Sequence, residues 1–267
     1  MTRVRCACVQ ILVEFSIVCP IKNEIDLIVK TLPSFFALKP SEVILCLDAP
    51  ILKDVLNAIN RVANILGLKH ITRIIEVEQN PEYNFQQAYA RRKGFHAARN
   101  DLILTTDIDL ILDHRIRGYL SLINDKVRLI GFNKIGYPHT VMSAVEHLMS
   151  TAGYSVFTGL YAFSRSAWLE TEDIDHLKKQ TTRAEDAHLH HYVSQKYESR
   201  FVGGLKNHCL RPRTSRNYQF AQGVNGWTIR RKPLWKMLTR TFLYFRPHLL
   251  LGYLQARHNM VRGKISG

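Results

Sequence analysis

Asp107 and Asp109 stand two positions apart, directly after the run Leu102-Ile103-Leu104-Thr105-Thr106. Two carboxylates at this spacing, just past a buried strand, can hold a hard divalent cation directly or through water. Mg²⁺ or Mn²⁺ at such a pair would bridge phosphate oxygens and neutralise a departing diphosphate. Solvated loop aspartates share the spacing; the place after an apolar strand gives the pair its weight. Glu185 and Asp186 form a second pair at the start of a predicted helix. A helix N-terminus favours carboxylates through its dipole, so capping is one explanation. The other is a general base that takes a proton from an attacking hydroxyl. His188, His190 and His191 follow, in a pattern that a solvated helix face also explains. His208 lies in Asn207-His208-Cys209-Leu210-Arg211, with Arg213 and Arg216 beyond it. The arginine forks suit phosphate oxygens, and they suit an ordinary solvated surface equally.

These residues need elements to position them. Val13 to Val18 reads as a buried strand, broken by Cys19-Pro20-Ile21-Lys22-Asn23-Glu24. Ile25 to Leu38 reads as an amphipathic helix that Pro33 is expected to kink or end early. Val43 to Leu47 is a second strand, ending at Asp48, and Lys53 to Leu66 a second helix. Ile71 to Val77, Phe85 to Ala98 and Leu102 to Thr105 continue as strand, helix and strand. The alternation predicts an α/β sheet covered by helices on both faces. Ligands of such sheets bind at the carboxyl ends of the strands. Pro20 to Glu24, Asp48, and Asp107 to Asp109 all fall there. Further on, Asp113 to Asn124 reads as a helix, Val127 to Phe132 and Thr158 to Phe163 as strands, and Glu185 to Lys196 as a helix.

Taken in order, these segments resemble a family 2 glycosyltransferase of GT-A fold. Val18 to Glu24 resembles the family's opening strand and Asn-Glu loop, and Asp48 the aspartate that recognises the nucleotide base. Ala90-Arg91-Arg92-Lys93-Gly94 resembles its A-R-N-x-G helix, and Leu102 to Asp109 its D-x-D strand. Thr158-Gly159-Leu160-Tyr161-Ala162-Phe163 resembles the acceptor-side segment, and Glu185-Asp186 the E-D pair whose aspartate is the usual base. His208 and Arg211 fall in the region resembling the family's His-x-x-x-Arg. The match spans roughly residues 14 to 225. It departs at Ala49-Pro50, where the family often carries an aspartate and a serine, and at Arg92 in place of asparagine.

The resemblance implies a Rossmann-like mixed sheet and an inverting, metal-assisted transferase of the hexosyltransferase kind. It implies donor contacts from Pro20, Glu24, Asp48, Arg91, Asp107 and Arg211, and a Mg²⁺ or Mn²⁺ ion on Asp107, Asp109 and His208. Asp186 would be the base, with Gly159 and Glu185 on the acceptor side. The partners expected are a nucleotide-diphosphate sugar and a saccharide or lipid-linked acceptor, a lipid phosphate included.

Composition sets the frame. The chain has 267 residues, 46% of them hydrophobic, enough for one sizeable core. No run reaches the roughly 20 apolar residues that span a bilayer. The N-terminus lacks a small-residue cleavage site and is not read as a signal peptide. The expected compartment is the cytosol. The five cysteines are odd in number and form no C-x-x-C pair, which argues against a disulfide framework or zinc ribbon.

The formal charge is +15, and no acidic residue follows Glu198. The catalytic domain is expected over 1–225 and a basic helical extension over 226–267. In it, Trp235, Leu238, Phe242 and Phe245 fall near one helical face. This suits a helix lying on an anionic membrane surface. Packing on the catalytic domain and an oligomer contact are the alternatives. Two rival functions stand beside glycosyl transfer. A sugar nucleotidyltransferase would want a Gly-rich phosphate loop, and Cys19 to Glu24 has no glycine. A non-enzymatic nucleic-acid binder explains the charge but not where the aspartates stand; nucleic acid is the disfavoured partner.

Overall fold

The computed structural model describes residues 13–137, 141–152, 159–179, 185–211, 216–228, 232–243 and 247–261. The first half alternates as the sequence predicts: β1 (Ser16–Ile21), α1 (Ile25–Ala37), β2 (Glu42–Asp48), α2 (Lys53–Ile65), β3 (Thr72–Val77), α3 (Gln86–Ala97), β4 (Leu102–Thr105). The second half is less regular. It runs β5 (Leu110–Ile111), α4 (Ile116–Leu120), β6 (Val127–Phe132), β7 (Ile135–Gly136), α5 (Val141–Thr151), β8 (Tyr161–Ser164), α6 (Arg165–Thr171), α7 (Ile174–Lys179), α8 (Glu185–Lys196). It closes with β9 (Glu198–Val202), β10 (His208–Cys209), α9 (Arg216–Thr228), α10 (Leu234–Leu243) and α11 (Pro247–Val261).

Seven strands form one mixed sheet in the order β3-β2-β1-β4-β8-β6-β9. β1 pairs in parallel with β2 and β4, while β8 is antiparallel to both β4 and β6. Strand periodicity sends alternate side chains to opposite faces. Ile17, Cys19, Val43, Leu45 and Leu47 join Ile28, Leu32, Val55 and Ile59 of α1 and α2 in one buried cluster. Val18, Ile44 and Cys46 instead join Ala90 and Phe95 of α3, Trp168 of α6, and Leu189 and Val193 of α8. Helices therefore cover both faces, as expected.

Two local expectations change. β1 does not break at Cys19 but runs to Ile21, with Pro20 inside it. Val18 accepts a hydrogen bond from the Thr106 amide, so residues of its parity face β4, and that pairing ends at Val18↔Thr105. Pro20 shares this parity and lies beyond the pairing, so its missing N–H costs the ladder nothing. Similarly, α1 continues through Pro33 to Ala37. The carbonyl deprived of its donor belongs to Val29, which is exposed, while Ile28, Thr31, Leu32, Phe35 and Phe36 hold the inner face in the core.

A second sheet has the order β5-β10-β7. The helix expected over Asp113 to Asn124 shrinks to α4, because both ends have other work. Asp113 is tied to Arg115 and Lys206, and the Asn124 side chain accepts from the Lys126 and Val127 amides in a turn. The boundary expected at 225/226 falls inside α9, which packs chiefly on α11.

Candidate active site

The chain builds β1, β2 and β3 outward and then returns to place β4 on the other side of β1. Such a reversal opens a crevice beyond the carboxyl ends of the strands. The Lys22-Asn23-Glu24 turn leaves β1 there, Asp48 ends β2, and Asp107 follows β4.

Asp107 is the most engaged of these groups. Its Oδ1 accepts from Gln87 Nε2 at 3.2 Å and from the Arg91 guanidinium, and its Oδ2 accepts from Lys134 Nζ at 2.8 Å. The Arg91 and Lys134 side chains are 3% and 6% exposed. Arg91 lies in α3, where the sequence places it, and its guanidinium engages Asp107, a contact the sequence did not reveal. Lys134 and Gln87 are partners the sequence did not reveal. Gly159 closes over the ion pair with φ of 62°; a Cβ there would lie 2.9 Å from both Asp107 Oδ2 and Lys134 Nζ. It serves the Asp107–Lys134 pair directly.

Asp109 belongs to the second sheet. β5 pairs antiparallel with β10, setting His208 opposite Ile111 and Cys209 opposite Leu110. The Leu210 amide donates to the Asp109 carbonyl at 2.8 Å, and the Cys209 thiol donates to Asp109 Oδ2 at 3.6 Å. His208 sits in the ladder opposite Ile111, two residues from the Leu210 that pairs with Asp109, its ring edge-on to Tyr137 at 5.9 Å. Arg211 follows β10 and pairs with Glu24 at 2.5 Å, joining the second sheet to the turn after β1. Burial draws the Arg211 pKa down, but the Glu24 contact outweighs it and holds it up, with Asp109 and Asp107 adding to the effect. Glu24 in turn accepts from the Lys22 amide at 2.7 Å.

Asp48 titrates above the usual carboxylate range. Burial is the main cause; Lys22 opposes it, Glu24 adds to it, and a Gln86 hydrogen bond opposes it. Pro20 is buried within β1, so Lys22, Asn23 and Glu24 are the accessible part of that segment. Burial pushes the Cys46 thiol up to about 12 and raises Cys19 well above its ordinary value, as core residues rather than ligands or nucleophiles behave.

Glu185 and Asp186 open α8, but their side chains lie outside the described residues. So do Arg213 and the Arg216 side chain. One observation bears on α8. Leu189, three residues beyond Asp186, lines a cleft together with Arg91, Phe95, Tyr161, Trp168 and Tyr192. Leu189 and Tyr192 of α8 therefore share a cleft with Arg91, whose guanidinium holds Asp107.

Among the described residues, no group of three or more His, Cys, Asp or Glu side chains converges as a metal site. Both Asp107 oxygens carry nitrogen donors. Mg²⁺ is usually bound through one or two carboxylates and completes its shell with phosphates and water, a demand that a carboxylate such as Asp109 fits by its chemistry.

No family model matches the chain, and no curated protein sequence matches it. Solved structures do. A Pyrobaculum calidifontis mannosyltransferase, in complex with GDP-Man and Mn²⁺, superposes with TM-score 0.61 at 16% identity, over 90% of this chain and 69% of that one. The S. aureus TarS fragment 1-349 with UDP gives TM-score 0.55 at 14% identity, over 86% of this chain and 72% of that one. Its complex with UDP-GlcNAc gives 0.55 at 12% identity, over 79% and 65%. The fold is that of GT-A-like glycosyltransferases. The chain spans about two thirds of the length of these structures and 40% of the longer TarS chain.

Proposed function

We propose that the chain transfers a sugar from a nucleotide-diphosphate sugar to an acceptor, with inversion at the anomeric carbon. One observation carries this reading. Asp48, Asp107 with Arg91, and Glu24 with Arg211 gather at the carboxyl ends of three adjacent parallel strands, in a fold shared with structures that bind such donors.

Asp48 accepts from the donor's base, against the Lys22 to Glu24 turn. Arg91 and Lys134 hold Asp107 fixed toward the donor, and Arg211 faces the diphosphate. Asp109 and His208 would hold Mg²⁺ or Mn²⁺, the charge that stabilises a departing nucleoside diphosphate. Asp186 takes the proton from the acceptor hydroxyl as its oxygen bonds to the anomeric carbon and the bond to the diphosphate breaks. Glu185 and the Gly159 segment border the acceptor, which is a saccharide or a lipid-linked group. A lipid phosphate acceptor would need little deprotonation, and Asp186 would then matter less.

The test is a panel of nucleotide sugars with Mn²⁺ or Mg²⁺, read as nucleoside diphosphate released. One donor should be consumed. Asp109→Ala should lower its turnover by about 100-fold or more. Asp186→Ala should keep donor binding and lose transfer to a hydroxyl acceptor. No turnover of any donor, or an Asp109→Ala variant as active as the parent, would end the reading.

A further inference from the structure

The C-terminal helices present a surface that the catalytic site does not use. α9 and α11 pack backbone to backbone: a Cβ on Gly223 would meet the Leu249 carbonyl oxygen at 2.0 Å, and one on Gly252 the Phe220 oxygen at 2.1 Å. α10 joins this pair through Met237, which is buried with Leu249 and Tyr253; Trp227 and Leu234 pack against them. At 100° per residue, Met237, Thr241 and Leu234 mark the inner side of α10. Trp235, Leu238 and Phe242 fall on a different side, and Lys236 on a third. Trp235 is 63% exposed and Phe242 72%. The sequence left open whether this aromatic stripe packs on the domain. Trp235 and Phe242 do not: the inner face is made by Met237 and its neighbours, and Phe245 lies outside the described residues. On α11, Leu251 and Leu254 are exposed as well.

Charge identifies the occupant. From residue 199 onward the chain has fourteen Lys and Arg and no Asp or Glu. A second copy of this chain would bring the same positive charge to the contact, which opposes self-association. A nucleic acid would match the charge, and Trp235 and Phe242 would stack on bases. Leu238, Leu251 and Leu254 have no such use, but aliphatic and aromatic side chains together suit an acyl–headgroup boundary, with Lys and Arg at anionic headgroups. No described helix is long and apolar enough to cross a membrane.

We propose that α10 is a docking face for an anionic lipid surface, inserting Trp235, Leu238 and Phe242 at the headgroup boundary while basic residues meet lipid phosphates. This does not rest on the glycosyl-transfer reading, since vesicle binding needs no donor.

The experiment is co-sedimentation of the full chain with phosphatidylcholine vesicles, and with vesicles in which phosphatidylglycerol is about a third of the lipid. Binding should be strong only to the anionic vesicles and should weaken as salt rises. The double variant Trp235→Ser, Phe242→Ser should lose about tenfold or more in partitioning. Its thermal midpoint should stay unchanged, because both side chains are exposed in the free protein. Four results would overturn the proposal: no binding to anionic vesicles, equal binding by the double variant, a dimer that only the parent forms without vesicle binding, or binding confined to single-stranded nucleic acid.

Discussion

At the scale of single residues, the site turns on how Asp107 is held. A carboxylate with two buried cations and an amide donor on its oxygens is fixed in place. Backbone must come close over that cluster without crowding it, and Gly159 is where it does. Gly159→Ala therefore carries two penalties: a positive φ, and a Cβ at 2.9 Å from two partners whose positions the ion pair fixes. Gly67 provides the control. Its φ is 67°, and a Cβ there meets nothing within 4 Å. We expect Gly67→Ala to cost about 1 kcal/mol, the backbone penalty alone. Gly159→Ala should cost about 2–4 kcal/mol. Denaturant midpoints at constant slope measure both. Equal costs would mean that the Asp107–Lys134 pair yields freely to an intruding methyl group.

At the scale of elements, close helix contact is the governing feature of the C-terminal third. α9 and α11 meet where glycines replace side chains, so the penalty for widening the contact falls on backbone atoms with no rotamer to move. Gly252→Ala should destabilise this helix pair by about 2–3 kcal/mol. It should raise amide exchange in α9 and α11 while β1, β2 and β4 keep their protection. Uniform loss across the sheet would show that the helices and the sheet unfold together. α9, like α5, α6 and α7, was not read from the sequence. Its Gly, Asn and Gln content carries no apolar stripe, and its stability comes from a partner thirty residues away. By contrast, α2, α3, β4 and β6 were legible to within a residue or so: α2, β4 and β6 each have a continuous apolar run or face, and α3 carries the Ala90-Arg91-Arg92-Lys93-Gly94 motif. β5, β7 and β10 are two residues long, too short for any alternation to show. Asp48 and Asp107 could be placed because each ends or follows such an element; Arg91, in mid-helix, was placed by the motif it resembles. Lys134 could not, because its meeting with Asp107 depends on β8 inserting antiparallel between β4 and β6, which no local pattern records.

At the scale of the whole molecule, the large sheet and the small one must be held together for Arg211, beyond β10, to meet Glu24, beyond β1. A buried polar node does this. The Asp113 amide donates to Asn207 Oδ1 at 2.9 Å, Asn207 Nδ2 donates to the Asn133 carbonyl at 2.9 Å, and Asn133 Nδ2 donates to the Leu205 carbonyl at 2.7 Å. The Asp113 carboxylate accepts from Arg115 at 2.6 Å and from the Lys206 amide at 2.7 Å. Burial works against this charge. The Arg115 and Lys206 hydrogen bonds outweigh it and hold the Asp113 pKa far below the usual carboxylate range. A carboxyl depressed in the folded state adds stability that is fully present above its unfolded pKa, about 4, and disappears as pH falls toward the folded value. The protein should therefore lose stability steadily below about pH 4. Glu42 and Asp101, both also depressed, contribute in the same direction. Asp113→Asn keeps the shape but not the charge. It should cost about 2–4 kcal/mol at neutral pH, because a charge-assisted hydrogen-bond set is removed from a buried site. Its stability should also fall less steeply in acid than the parent's. Because the node adjoins His208, the variant should weaken metal and donor binding before it disturbs β1 to β4. Chemical denaturation at neutral pH and at about pH 3 checks the slope. Nucleotide affinity at neutral pH, measured with and without Mn²⁺, checks the coupling to the crevice. An unchanged acid slope in Asp113→Asn would show that another carboxylate carries the pH dependence and that the two sheets are joined elsewhere.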